Sequence, residues 1–553
     1  MLAGGVAVAA AGAAVAAEAA APKLAVVISV DQFRGDYLAR FGPYFGEGGF
    51  KRLLAGGLNF TNCHYRHSVM LTAPGHASIL SGTFASVHGV TSNEWLDRAT
   101  WEQVNSVEDK ASPLVGIAPA ELGAVAAAAA AKTGRSPANF KAETVGDELK
   151  KKFGAGTRIF AASNKDRSAI LLGGGRGDAA YWDENGRFVT SRHYRPTGEL
   201  PAWVTTFNAD GRAEKAFGRV WDRLLPEAVY EKVQGPDNAP GETDAAGLGT
   251  MFPRRVDGGK KALSGAYYTA YDNSPFTTEA LGDFVRRAIT EEKLGRNAGT
   301  DLLGVSFSQI DTVGHYYGPD SHEVMDSVLR LDRVLAGLLD TLDREVGLAK
   351  CVIVLTADHG VVPLPERTSR TDPATGAARV RTNEMDAAAR KALDARFGAL
   401  PTGEAWFTRD NAGVHLRPTA LAAKKADATE AAKLVQQAFA TMPFVAEVFT
   451  RAELLAASAE GDTPLAMMRR SYRAESDRDV VYTLKPWFIA KAGSGTGHGQ
   501  PYPYDQHVAM LWFGAGVPRG ERTERVHVDQ IAPTLAALLG VPAPAAAKSP
   551  KMF

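Results

Sequence analysis

Residues 23–31 read KLAVVISVD, an almost unbroken apolar run that ends at an aspartate. β-Branched residues dominate the run, which is typical of a strand buried on both faces of a parallel sheet. Comparable runs cover residues 302–309 (LLGVSFSQ), 351–357 (CVIVLTA) and 507–516 (HVAMLWFGAG). We therefore expect an α/β fold with a mostly parallel central sheet, in which all four runs are buried strands.

The segments between these runs fit the same fold. Apolar residues recur every three or four positions from Glu323 to Val346, which predicts a crossover helix between two parallel strands. Residues 181–189 contain the turn signal Asn185-Gly186, which predicts a hairpin. Two segments, about 196–261 and about 367–460, look like insertions, and we expect the second to form a small α+β subdomain. The first we expect to form a rim that selects leaving groups.

Composition excludes several classes of protein. The 553 residues include 62 Lys+Arg and 62 Asp+Glu, so the formal net charge is zero. A dedicated binder of nucleic-acid duplexes would be basic, so we expect none here. Residues 1–22 are rich in Ala, Val and Gly but are interrupted by Glu18. They predict a signal peptide rather than a stable membrane span, followed by a catalytic domain over 23–545 in a periplasmic or secreted protein.

Carboxylates and imidazoles gather after the predicted strands. Three of the four apolar runs are followed closely by an aspartate, and ligands collect at the carboxyl ends of strands in open α/β sheets. The candidate ligands are Asp31, Asp311, His315, Asp358, His359 and His498. Aspartate and histidine are Zn²⁺ ligands, and six of them suffice for two metals with open positions. The other nine histidines, among them His76, we interpret as surface or packing residues.

Thr72 is the candidate nucleophile. It stands two residues before Pro74, which suits the first turn of a helix, and an apolar helix is predicted to follow as far as Leu80. Thr72 would then lie at a helix N-terminus, where backbone N–H groups favour an anion. Alone, such a threonine is an N-cap; beside a metal, it becomes an alkoxide nucleophile.

Taken together, the motifs from Val27 to Gln32 and onward to Gly497-His498-Gly499 resemble the alkaline phosphatase superfamily. The resemblance is to its nucleotide pyrophosphatase/phosphodiesterase-like branch, and more narrowly to the PafA-type bacterial alkaline phosphatases. It implies a three-layer α/β/α fold, two Zn²⁺ per chain and a phosphothreonine intermediate on Thr72.

The resemblance also assigns the ligands. One zinc would be held by Asp311, His315 and His498. The other would be held by Asp31, Asp358 and His359, with Thr72 beside it. Asn93 matches the family asparagine that contacts a phosphoryl oxygen.

The substrate class depends on Lys165 and Arg167, within Ser163-Asn164-Lys165-Asp166-Arg167-Ser168. Two residues apart on an extended chain, they would point to one side. A monoester dianion has one more unesterified oxygen than a diester, and two cations can neutralise it. This pair resembles the one in PafA-type monoesterases, so we expect hydrolysis of small-molecule phosphate monoesters.

Three other functions stay open at this point. The first is a phosphodiesterase or nucleotide pyrophosphatase with the same metals. The second is a sulfatase, although no arginine follows the proline of Thr72-Ala73-Pro74-Gly75-His76 as that family requires. The third is a phosphate-binding protein without turnover, which would not need an activated nucleophile.

Overall fold

The computed structural model describes residues 21–116, 134–410, 412–475 and 478–553. Its centre is a ten-stranded mixed sheet. In spatial order its strands are Gly520–Arg522, Leu58–Phe60, Leu511–Gly514, Cys351–Thr356, Leu24–Val30, Asp301–Phe307, Ile159–Ser163, Ala179–Glu184, Arg187–Ser191 and Leu114–Val115. Almost all of the predicted signal peptide lies outside the described residues.

The five central strands are parallel to one another, from Cys351–Thr356 to Ala179–Glu184. Leu24 lies between Asp301 and Cys351, so the three strands that precede the candidate aspartates are aligned neighbours. Three of the four predicted strands are thus confirmed. All seven residues of Leu24–Val30 are buried, which explains the lack of polar alternation.

The prediction of a fourth parallel strand over 507–516 is wrong. Leu511–Gly514 runs antiparallel to Cys351–Thr356, and His507–Val508 belongs to a separate three-stranded sheet. An apolar run indicates a strand that is buried on both faces of the sheet, but burial alone does not specify the direction of the strand.

Helices cover both faces of the central sheet. On the strand Ala179–Glu184, Tyr181 packs against Phe284 of the helix Pro275–Glu291, with ring centroids 5.5 Å apart. Trp182 points the other way and joins a cluster with Ala73 and Ile170, from the helices Thr72–Ser81 and Asp166–Gly173. The predicted three-layer α/β/α arrangement follows from this alternation.

The crossover helix is confirmed at His322–Glu345. The predicted hairpin is also confirmed, because Asn185 and Gly186 both have positive φ, 54° and 77°, as a type I′ turn requires. The remaining α-helices of the main body are Tyr37–Phe41, Phe50–Gly56, Ala85–His88, Val145–Phe153, Gly265–Asp272, Gln309–Tyr317, Pro365–Thr371, Pro503–Gln506 and Ile531–Leu539.

A second, four-stranded sheet has its own apolar core. Its strands are Phe407–Arg409, Gly413–Leu416, Val480–Leu484 and Val445–Thr450, in that spatial order. Its helices are Asn383–Phe397, Pro418–Lys424, Ala428–Ala440, Arg451–Ala456 and Pro464–Ser471. The strand Val480–Leu484 lies beyond the range that the sequence suggested for this insertion. The insertion over 196–261 holds the helices Ala202–Ala209, Arg212–Ala216 and Glu227–Gln234 and one short strand pair.

No helix among the described residues combines the length and apolar character that crossing a membrane requires.

Candidate active site

The three candidate aspartates converge at the carboxyl edge of the parallel strands. Asp31 directly follows Leu24–Val30, and Asp358 follows Cys351–Thr356 by two residues. Asp311 does not end a strand, as the sequence suggested, but lies in the helix Gln309–Tyr317. There, Asp311 and His315 are one helical turn apart, with Oδ1 and Nε2 separated by 3.2 Å.

Backbone carbonyls orient the three candidate histidines. Nδ1 lies 3.0 Å from the Thr496 oxygen in His315 and 2.7 Å from the Met70 oxygen in His498. In His359, Nδ1 lies 2.9 Å from the Gly360 oxygen. A carbonyl only accepts hydrogen bonds, so each Nδ1 carries the proton and each Nε2 presents a lone pair, as a metal-binding imidazole does.

The Nε2 atoms face the carboxylates. Those of His315 and His498 lie 3.2 and 3.5 Å from Asp311 Oδ1, and that of His359 lies 3.4 Å from Asp31 Oδ1. The donor atoms form two sets, and within each set all atoms lie within 4.8 Å of one another. Asp311 contributes to both sets. The sets are Asp311, His315 and His498, and Asp31, Asp311 and His359. Asp358, expected in the second set, borders it with Oδ2 3.4 Å from His359 Nε2.

These residues fit a bound cation. Asp31 Oδ1 and Asp358 Oδ2 are buried, yet neither accepts a hydrogen bond from any described residue. His76 Nδ1 is 3.2 Å from Asp358 Oδ2, but it bonds the carbonyl oxygen of Thr72 instead, at 2.8 Å. Buried carboxylate oxygens without donors, beside imidazole lone pairs, suit Zn²⁺.

The electrostatics of the site also favour positive charge. Burial raises the pKa of Asp358, and the Asp31 carboxylate raises it further. Burial opposes ionisation of Asp311, but the neighbouring charges, Lys165 above all, hold its pKa well below the usual value. Lys165 is itself partly buried, and Asp31 and Asp311 raise its pKa in spite of its partial loss of solvent. The aspartates therefore depend on neighbouring cations to remain ionised.

Thr72 begins the ten-residue helix Thr72–Ser81, as the sequence predicted, and the structure shows that it is buried. Its Oγ1 lies 3.5 Å from Nε2 of His359. The side-chain oxygen of Asn93 accepts the Ala73 N–H at 2.8 Å, which leaves its Nδ2 available to a ligand. Gly75 permits the close approach of this helix to the backbone at Asp358, because a Cβ at position 75 would lie 2.3 Å from the backbone oxygen of Asp358.

Lys165 and Arg167 adopt a different geometry from the expected one. The chain is extended only at Lys165, and Arg167 lies inside the helix Asp166–Gly173, so they do not share one face of an extended segment. Lys165 Nζ lies 2.8 Å from Asp31 Oδ2 and 2.5 Å from Asp311 Oδ2. Arg167 lines a cavity of about 410 Å³ together with Asn93 and His498.

Three residues that support the site were not recognised from the sequence. Gln32, with φ of 67°, donates from Nε2 to Asp311 Oδ1 at 2.7 Å and from its backbone N to Asp358 Oδ1 at 3.2 Å. His76, assigned to surface or packing, bonds Thr72 and the Ser306 hydroxyl. Asp505 accepts the N–H groups of the two residues after His498, both at 2.8 Å. Of these three residues, only Gln32 has a feature in the sequence that points to the site, which is its position next to Asp31.

Comparison with known proteins agrees with this geometry. A sequence model of the family described as Type I phosphodiesterase / nucleotide pyrophosphatase matches residues 25–442. The chain belongs to this family. That match confirms the resemblance of the motifs to the nucleotide pyrophosphatase/phosphodiesterase-like branch.

Two relatives and one solved structure place the chain more narrowly. It is 32% identical to alkaline phosphatase PhoV of Synechococcus elongatus over 95% of its length and 91% of that protein. It is 31% identical to alkaline phosphatase PafA of Elizabethkingia meningoseptica, over 95% and 93% of the two chains. A crystal structure of alkaline phosphatase PafA superimposes with a TM-score of 0.86 at 29% identity, covering 96% of this chain and 98% of that one.

Proposed function

We propose that this chain is an alkaline phosphatase that hydrolyses phosphate monoesters, with two Zn²⁺ and with Thr72 as the nucleophile. One observation carries the proposal. Three imidazole Nε2 atoms face the carboxylates Asp31 and Asp311, and the hydroxyl of Thr72 lies 3.5 Å from one of them. Relatives named alkaline phosphatases match nearly the whole chain, which supports the same activity.

The metal ligands in this proposal are those that the sequence indicated. Asp311, His315 and His498 would hold one ion, and Asp31, Asp358 and His359 would hold the other beside Thr72. Bound Zn²⁺ supplies Lewis acidity, which stabilises negative charge on the attacking and leaving oxygens.

Thr72 carries the chemical step. Its Oγ1 loses its proton to solvent and attacks phosphorus, the bond to the ester oxygen breaks, and a phosphothreonine forms. The leaving oxygen takes up a proton from solvent and departs as the alcohol. Its place at the N-terminus of the helix Thr72–Ser81 favours negative charge. In-line attack from the side of His359 directs the leaving oxygen towards His315 and His498. Water then attacks the phosphothreonine from that side, the bond between phosphorus and Thr72 Oγ1 breaks, and inorganic phosphate leaves. Two displacements predict retention of configuration at phosphorus.

Arg167 and Asn93 would hold the unesterified oxygens. The Nε of Arg167 is buried and donates no hydrogen bond to any described residue. Arg167 lines the cavity beside Asn93, so its guanidinium can reach an anion there. Lys165 would add a second cation, anchored by Asp31 and Asp311. Cations at this position favour a dianionic monoester over a monoanionic diester.

A phosphodiesterase with the same metal site is the second candidate, and the description of the matching family favours it. The two activities differ in their dependence on Arg167. A diester has one unesterified oxygen fewer, so its hydrolysis should depend much less on that guanidinium.

The proposal is tested by trapping the intermediate. The zinc-loaded protein, assayed for two Zn²⁺ per chain, is mixed with p-nitrophenyl phosphate and quenched in acid, and its peptides are analysed by mass spectrometry. We expect phosphate on Thr72, and loss of turnover in Thr72→Ala but not in the exposed control Thr61→Ala. Turnover that persists in Thr72→Ala would overturn the assignment of the nucleophile.

The location of the protein is a separate proposal. We infer a periplasmic or secreted enzyme from the composition of residues 1–22 alone. Fractionation of cells expressing the full chain tests this inference. Activity in the periplasm or medium is expected, and activity confined to the cytoplasm would contradict it.

A further inference from the structure

A cavity of about 330 Å³ opens beside His315 and His498. Its apolar wall is formed by Leu71, Val362, Leu484, Phe488 and Ile489, and Asn93, Gln500 and Asp505 add polar groups to the lining. The size falls within the range of small-molecule sites, roughly 300–1,000 Å³, and such sites are mostly apolar with a few fixed polar groups. The insertion over 196–261, expected to select leaving groups, contributes no residue to this lining.

The apolar wall is held in place by other parts of the fold. The backbone N–H of Leu484 donates to the Gln500 side chain at 2.9 Å. Phe488 and Ile489 form a short strand that pairs with Ala378 and Arg379. The shape of the cavity is therefore largely formed before any ligand binds.

The polar end of the cavity adjoins the metal-binding residues. Lys491 Nζ donates to the backbone oxygens of His315 and Thr496, both at 3.1 Å. These bonds hold the ammonium group beside His315. A ligand that reaches His315 and His498 with a polar atom would place its remaining atoms against carbon.

The position of Thr72 indicates which part of a substrate enters. Thr72 Oγ1 lies near His359, so in-line displacement sends the leaving oxygen towards His315 and His498, where this cavity begins. The phosphoryl oxygens would face the adjoining, more polar cavity that Arg167 lines, which shares Asn93 and His498 with this one. We propose that the cavity beside His315 binds the leaving group of the substrate and selects a flat apolar ring, as in an aryl phosphate monoester. This inference rests on the proposed phosphatase activity.

Two phosphonates test the inference. Benzylphosphonate and methylphosphonate replace the ester oxygen with carbon, so neither is hydrolysed and leaving-group reactivity plays no part. We expect the zinc-loaded enzyme to bind benzylphosphonate roughly tenfold more tightly or better, judged by competitive inhibition constants and by calorimetry. Phe488→Leu and Val362→Thr should reduce this preference below about threefold, because they remove the ring or add a hydroxyl. The affinity for methylphosphonate should not change.

Phe407→Ala is the matched control. Phe407 is a partly buried aromatic residue of the same subdomain that does not line the cavity, so its loss should leave the preference unchanged. If the two phosphonates inhibit equally an enzyme that hydrolyses p-nitrophenyl phosphate, the proposed role of the cavity is wrong, but the proposed phosphatase activity stands. An equal loss of preference in the control would overturn the role of the cavity as well. An enzyme that hydrolyses no monoester would instead refute the proposed function.

Discussion

Gln32 should control zinc affinity without touching the metal. Its Nε2 donates to Asp311 Oδ1 at 2.7 Å, and the same oxygen faces the Nε2 atoms of His315 and His498. Asp311 belongs to both sets of donor atoms, so its orientation affects both proposed metals. Gln32→Ala removes the hydrogen bond that fixes this orientation.

The size of the effect follows from the type of bond. A buried hydrogen bond to a charged group contributes about 1.5–3 kcal/mol, and loss of a residue that orients a metal ligand typically weakens metal binding about 10- to 100-fold. The backbone at Gln32, with φ of 67°, provides a second variant. Gln32→Gly removes the same hydrogen bond but relieves roughly 1 kcal/mol of backbone strain.

The assay measures zinc affinity and stability separately. Zinc affinity is measured by competition with a chelator, and the free energy of unfolding by urea denaturation. Both variants should lose zinc affinity equally, with Gln32→Gly the more stable of the two. Gln234→Ala is the control, since Gln234 is fully buried and its amide bonds backbone oxygens away from the site. If zinc affinity stays within about twofold of the wild type in both variants, the reasoning is refuted.

Two further predictions test packing and pH dependence. Gly75→Ala should cost about 1–3 kcal/mol of unfolding free energy and reduce kcat, because its Cβ would lie 2.3 Å from the backbone oxygen of Asp358. Gly265→Ala is the control and should be neutral, because no atom lies within 4 Å of the added Cβ. Equal effects of the two variants on denaturation and turnover would contradict this prediction. Burial and Asp166 raise the pKa of Glu184 to about 7 from 4.5. The folded protein therefore holds a proton that the unfolded chain releases, and stability falls as pH rises through this window. Glu184→Gln should lose less stability between pH 5 and 8, by about 1–3 kcal/mol in urea unfolding, and parallel losses would argue against it.

The sequence predicted the central sheet because burial on both faces leaves a local pattern. The runs that begin at Leu24 and Cys351 have that pattern, and the structure places them side by side. The direction of Leu511–Gly514 left no such pattern, since it depends on how the chain returns to the sheet. Long-range geometry of this kind is absent from any short window of sequence.

The Lys165–Arg167 segment shows a different failure. We expected an extended chain, but a helix begins at Asp166 and includes the apolar residues Ala169 to Leu172. Asp166 suits a first helical turn, a signal that the expectation overlooked. The contacts of Lys165 with Asp31 and Asp311 join residues 134 and 146 positions apart, which no local pattern reveals.

The most direct test of the central claim is a ratio of kcat/KM values. It compares p-nitrophenyl phosphate with bis-p-nitrophenyl phosphate at alkaline pH, in the zinc-loaded wild type, in Arg167→Ala and in the exposed control Arg255→Ala. We predict a strong preference for the monoester, and a roughly 10- to 100-fold loss on the monoester alone in Arg167→Ala. A wild type that prefers the diester, with no change in Arg167→Ala, would contradict the assignment as a phosphomonoesterase.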